Sequence, residues 1–176
     1  MGRVFLSLAL TATALFLGSS LISDASAATV GRALAVSVDD FNYVDTSNEP
    51  ADQTAAHDMR LRAFMTALRD DVATDQRFEL VPSSCAPNCP TNGPALSDRL
   101  RVASQAGTHI LIVGVVHKMS TLVQLVDAAA VDTTSQRIVF KRSFTFRGDN
   151  DEAWRRAERF VSEDVRDRLL ESRSQQ

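Results

Sequence analysis

The connection that most constrains this chain is three residues long. Ile110 to Val116 is apolar throughout except for Gly114, and it marks the strongest strand, Thr108 to His117. Only Lys118, Met119 and Ser120 separate it from the next β-patterned segment, Thr121 to Asp132. A parallel crossover needs about a dozen residues or more, so that segment must return antiparallel. Thr133 to Gln136 then reads as a hairpin turn and Arg137 to Arg147 as the last strand. Ile138, Phe140, Phe144 and Phe146 take one face of that strand and mostly polar residues the other, which sets one face on a core and one in water.

Upstream, helices are interposed. Arg32 to Phe41 carries the near-continuous apolar run Ala33, Leu34, Ala35, Val36 and Val38, the pattern of a strand buried on both faces. Asn42 to Gln53 is polar and reads as a loop, or as an early start to the next helix, since Thr54 is a fair cap. His57 to Ala73 is helical, with Leu61, Phe64, Met65, Leu68 and Val72 on one stripe. Arg77 to Val81 is a short strand, and Pro94 to Ala106 a second helix closed by Gly107 as its C-cap. The last helix starts at Asp149 or Asn150, either of which can cap it. Asp151 and Glu152 suit its positive end, and Trp154, Ala157, Val161, Val165 and Leu169 form its buried stripe.

The order β-α-β-α-β-β-β-α predicts an α/β fold with a mixed sheet flanked by three helices. Right-handed crossovers put the first two helices on opposite faces, which makes the first and third strands central neighbours. Five strands in the order 2-1-3-4-5 follow, with the two most apolar strands in the middle.

Residues 1–27 bear on location. Arg3 is followed by the apolar run Val4 to Leu17, then Gly18, Ser19 and Ser20, then Ala25-Ser26-Ala27. That is the pattern of a cleaved secretory signal, too short and too closely followed by a cleavage site for a membrane span. The expected mature chain, 28–176, is one domain in the periplasm without a stable membrane anchor. The net charge of -3 is interspersed and forms no basic stripe, which argues against nucleic acid as a partner. Cys85 and Cys89 are the only cysteines and sit in a Pro-rich stretch. In an oxidising compartment they are expected to pair as a disulfide, and the short loop limits the gain to at most ~2–3 kcal/mol.

Two resemblances enter on particular residues. Val36-x-Val38-x-x-Phe41, Phe78-x-Leu80-Val81 and Ala106-Gly107-Thr108-x-Ile110-Leu111-Ile112-Val113-Gly114-x-Val116 resemble the amino-terminal domain of TolB and the curli-secretion lipoprotein CsgG. That resemblance implies a periplasmic assembly or interaction module. Asp45-Thr46-Ser47, the Cys85/Cys89 stretch, Val116-x-Lys118-x-Ser120-x-Leu122 and Arg147-Gly148-x-x-Asp151-Glu152-x-Trp154-Arg155-Arg156 resemble a bacterial secreted family of unknown function, domain number 2380. It implies the fold and the periplasm and no activity.

Ligands of open α/β sheets sit beyond the carboxyl ends of strands where connections diverge. Here that crevice lies between the first and third strands. It would gather Asp39, Asp40, Asp45, Thr46 and Ser47 from one side and His117, Lys118 and Ser120 from the other. Asp40, Asp45, Thr46, His117, Lys118 and Ser120 are the expected ligand-binding residues. The plainer alternative is ordinary polar loop residues. A metal site from Asp39, Asp40, Asp45 and His117 is the rival reading, though no ligand spacing enforces it. No Gly-x-Ser-x-Gly elbow, phosphate loop or dinucleotide glycine pattern occurs, so no catalytic residue and no cofactor is expected. The expectation is a non-catalytic binding or accessory module of the envelope, with a metal-binding protein or enzyme as the alternative. The expected partner is a periplasmic or envelope protein, met at this rim or by strand addition on an exposed sheet edge.

Overall fold

The computed structural model describes residues 32–83 and 95–174. The expected signal segment and the Cys85–Cys89 disulfide lie outside the described residues. Six strands and three helices follow in the order β1 (Leu34–Val38), β2 (Asn42–Asp45), α1 (Thr54–Thr74), β3 (Phe78–Leu80), α2 (Leu96–Gln105), β4 (Ile110–Lys118), β5 (Val123–Asp132), β6 (Ile138–Arg147) and α3 (Asp151–Ser174). The sheet runs β3-β1-β4-β5-β6, with β2 also on β4. β1 pairs parallel with β3 and β4, and β4-β5-β6 is an antiparallel meander. Leaving β2 aside, this is the order expected from the three-residue connection.

β2 is the addition. The expected loop from Asn42 instead continues the edge of β4 that β1 leaves, pairing Asn42 with Val115 and Asp45 with Lys118. From Val38 to Asn42 the chain advances four residues while its partner advances three, from Ile112 to Val115. β1 and β2 are therefore two ends of one path with a bulge between them. Phe41, buried in that bulge, lies against Gly114. A Cβ on Gly114 would meet the Phe41 ring and the Asp127 carbonyl oxygen, each at 2.6 Å. Only glycine fits this close approach.

The alternation on β4 sends Ile110, Ile112 and Val116 into the main core with α1 and α3, and Leu111 to the other face with Leu100 and Ala103 of α2. The two crossover helices thus lie on opposite faces, as right-handedness requires. Val36, Leu68, Ile112, Val126, Val161, Val165 and Leu169 are fully buried, each stabilising by roughly 1.5–3 kcal/mol. Ile138 departs from its expected place. A register shift at Ala130/Val131 pairs Phe140 with Ala130 and Ile138 with Val131, and Ile138 is exposed. Asn150 caps α3 by accepting the Ala153 amide at 2.9 Å, and Gly107 takes the left-handed φ of +86° expected of a helix-ending glycine.

Candidate functional site

Lys118 closes β4 on the same face as Ile112 and Val116, so its ammonium enters the layer between sheet and helices. It is fully buried. It donates to Asp149 Oδ2 at 2.8 Å, to Gln53 Oε1 at 2.9 Å and to the Glu49 carboxylate. Asp149, at the β6–α3 corner, also accepts from His57 Nε2 at 2.8 Å, Arg60 Nη1 at 2.9 Å and Gln124 Nε2 at 3.1 Å. Arg60 reaches on to Asp151 at 2.9 Å. His57 is buried and stacks on Tyr43, ring centroids 4.8 Å apart.

The electrostatics follow from these partners. Burial alone would raise the Asp149 pKa, but the hydrogen bonds and charges of Lys118 and His57 outweigh it and hold the carboxyl down to about 2. Burial likewise opposes the Lys118 charge, yet Asp149 and Glu49 raise its pKa above the ordinary value. Tyr43 is pushed up, first by burial and then by nearby carboxylates. At neutral pH the lysine is fully protonated and the aspartate fully ionised. Neither is poised to transfer a proton. The cluster ties the ends of β4 and β5 to the start of α1 and the entry to α3.

The six expected ligand-binding residues divide accordingly. Lys118 turns inward to this cluster. His117, on the opposite face of β4, has Nε2 2.7 Å from Thr46 Oγ1, and Thr46 also reaches the Lys118 carbonyl at 3.3 Å. Asp45 accepts the Ser47 amide at 2.8 Å in its own turn, and Ser120 accepts the Val123 amide at 3.2 Å in the β4–β5 turn. Asp40 pairs with Arg69 at the bulge. Asp39, buried, pairs with Arg99 at 2.7 Å and with Ser83. β2 occupies the flank of β4 where the crevice was expected. The four residues of the rival metal site do not converge, and no group of three or more potential ligands exists among the described residues.

The concave feature that sequence reasoning missed is a groove of about 580 Å³ between α1 and α3. Ala56, Met59, Ala63 and Ala67 form its α1 wall, beside Phe64, and Trp154 and Glu158 stand opposite. Arg60, Asp151 and Arg155 supply charge at the rim. The volume lies within the roughly 300–1,000 Å³ common for ligand sites. The signal was present at positions 56, 59, 63 and 67, a second apolar stripe at helical spacing beside the core stripe. Met59 on it is 62% exposed. Glu158 is buried at the groove wall, accepts from Ser162 Oγ at 2.6 Å, and is pushed up in pKa chiefly by burial.

Among solved structures, the hypothetical protein CT253 from Chlamydia trachomatis aligns with TM-score 0.52 at 8% identity, over 78% of this chain and 98% of that one. This similarity shows a shared fold. TolB from Acinetobacter baumannii aligns with TM-score 0.48 at 14% identity, over 79% of this chain and 29% of its own. The LpoB C-terminal domain from Salmonella enterica aligns with TM-score 0.47 at 13% identity, over 67% of this chain and 85% of its own. The chain thus spans under a third of that TolB. No curated protein matches it. Among the described residues no helix is long and apolar enough to cross a membrane. Residues 34–165 match the model named DUF3280, and the chain belongs to the family it describes, "Protein of unknown function (DUF2380)".

Proposed function

We propose that the protein is a non-catalytic binding or accessory module of the cell envelope, and that its ligand or partner seats an apolar group in the α1–α3 groove. The groove carries this reading. It is open and apolar-floored, and Arg60, Asp151, Arg155 and Glu158 around it can orient what binds. The titratable groups nearest the expected crevice support the absence of catalysis in this reading, because Lys118 and Asp149 are consumed by internal partners. The envelope address rests on the signal pattern of residues 1–27. The interaction role implied by the TolB and CsgG resemblance points the same way and stays part of the proposal.

Trp154 is the only tryptophan and lines the groove, so it is the sole indole donor, and the groove substitution assigns the signal to this site. Titration with 1-anilinonaphthalene-8-sulfonate should give saturable one-to-one energy transfer from Trp154. Ala63→Phe, which fills the groove from its α1 wall, should abolish it. Transfer that never saturates, or that survives Ala63→Phe in a folded variant, would count against the groove as the binding site.

A further inference from the structure

β6 ends the sheet. Its inner edge pairs with β5 along the strand, and no strand among the described residues pairs with its outer edge. Alternate residues of this ten-residue strand therefore turn their backbone donors and acceptors to whatever approaches. Beside this edge, where α3 leans over the sheet, lies a second groove of about 340 Å³ lined by Phe144, Phe146, Ala157, Phe160, Arg147 and Arg156. Phe160 is 57% exposed although its ring meets Phe144 edge-on with centroids 5.6 Å apart. No acidic residue lines this groove.

The charges at the edge choose the occupant. Arg60, Arg69, Arg77, Arg99 and Arg142 all hold carboxylates. Arg147 and Arg156 have no ion pair among the described residues, and neither has Lys141, which is exposed on the same strand. A second copy pairing antiparallel through its own β6 brings no carboxylate to Lys141, Arg147 or Arg156. Centred on Phe144, that pairing would set Lys141 opposite Arg147 twice over, and like charges directly across a ladder repel. A strand carrying carboxylates meets no such repulsion.

We propose that β6 and the groove beside it dock an extended acidic segment of another protein by strand addition, distinct from the α1–α3 groove and independent of it. The segment alternates. Its apolar side chains, every second residue, lie on Phe146 and Phe160. Asp or Glu residues between them reach Lys141 and Arg147, which share the strand's other face, and an acidic residue at the segment's end reaches Arg156 beside the groove. Main-chain hydrogen bonds to β6 supply affinity, and the cations and the phenyl rings supply the choice of sequence.

The probe is a ten-residue peptide alternating Glu with Val and Phe, followed by fluorescence anisotropy against the full chain. Saturable one-to-one binding that weakens with salt is expected. Binding should fall at least tenfold for Phe160→Ser and for Arg147→Glu/Arg156→Glu, and for a peptide with Lys in place of Glu. The charge-reversed variant should in turn prefer the Lys peptide, which shows that it is folded. Should it fail to fold, Arg147→Gln/Arg156→Gln replaces it with the same loss expected. A peptide N-methylated at alternate residues on its pairing edge should not bind. Absence of saturable binding, indifference to the arginine substitutions, or full binding of the N-methylated peptide would each overturn the proposal. So would a dimer dissolved by Phe160→Ser, which would give the edge to a second copy. Ala63→Phe should leave peptide binding unchanged, so failure here and failure of the α1–α3 reading are distinguishable.

Discussion

Lys118→Met removes one ammonium from the interior and keeps most of the volume. The partners left behind are Asp149, Glu49 and Gln53, the first at 2.8 Å in the native protein. Removing one member of a buried ion pair costs about 3–5 kcal/mol, because the remaining charge stays desolvated. Asp149 keeps Arg60 and His57, each within 2.9 Å, so the lower end of that range, about 3 kcal/mol, is expected at neutral pH. The pH dependence supplies a second reading. Asp149 is held to about 2 in the folded protein against about 3.9 when unfolded, which is worth about 2–3 kcal/mol. A depressed carboxyl contributes this stability in full above pH ~4 and loses it as pH falls through ~2. In Lys118→Met the Asp149 pKa rises toward its unfolded value, so the acid loss still begins near pH ~4 but is smaller, and the two proteins converge near pH 2. Urea unfolding followed by far-ultraviolet circular dichroism at pH 7, 5, 3 and 2 measures both effects. A variant within 1 kcal/mol of the native protein at pH 7, with an unchanged acid limb, would refute the view of Lys118 as a structural pin. The residue would then be free for the ligand role expected from the sequence.

Two further substitutions test the geometry. Gly114→Ala places a methyl against the Asp127 carbonyl and the Phe41 ring, and it should cost about 2–3 kcal/mol in denaturant unfolding; a neutral result would mean the bulge at Phe41 packs otherwise. Glu158→Gln tests the buried carboxyl at the α1–α3 groove. Burial raises its folded pKa, so its protonated form favours the fold below the ordinary carboxylate range, and that contribution is lost as pH rises through the raised value. Glu158→Gln should therefore match the native protein near pH 4 and exceed it in melting temperature at pH 8. A variant less stable at pH 8 would contradict the assignment.

The sheet order was legible because one short connection and the handedness of crossovers leave few topologies, and β4 and β1 are the most apolar strands. β2 was hidden by composition. Asn42 and Asp45 are ordinary turn residues, and only Tyr43 and Val44 hint at pairing. The bulge before it breaks the period-two pattern that would otherwise have carried the strand on from Val38. Lys118 was picked out but set on an open rim. The clue to its burial lay in parity, since it shares a face with Ile112 and Val116 at the end of an apolar strand. Its partners come from Glu49, Gln53 and Asp149, remote in the chain, and no spacing rule announces them. The groove was missed because alanines at helical spacing read equally well as a face packed on a neighbour.

In the function proposed above, the α1–α3 groove, and not the Thr46–His117 rim, is where this module binds. Native mass spectrometry of the protein isolated gently from its own cells tests it most directly, with Ala63→Phe, Phe160→Ser and the pair Thr46→Ala/His117→Ala prepared alongside. A stoichiometric noncovalent adduct is expected on the native protein, on the Thr46/His117 variant and on Phe160→Ser, which disables the β6 edge, and Ala63→Phe should lose that adduct. An adduct retained by Ala63→Phe and lost from the Thr46/His117 variant would contradict it and return the site to the rim.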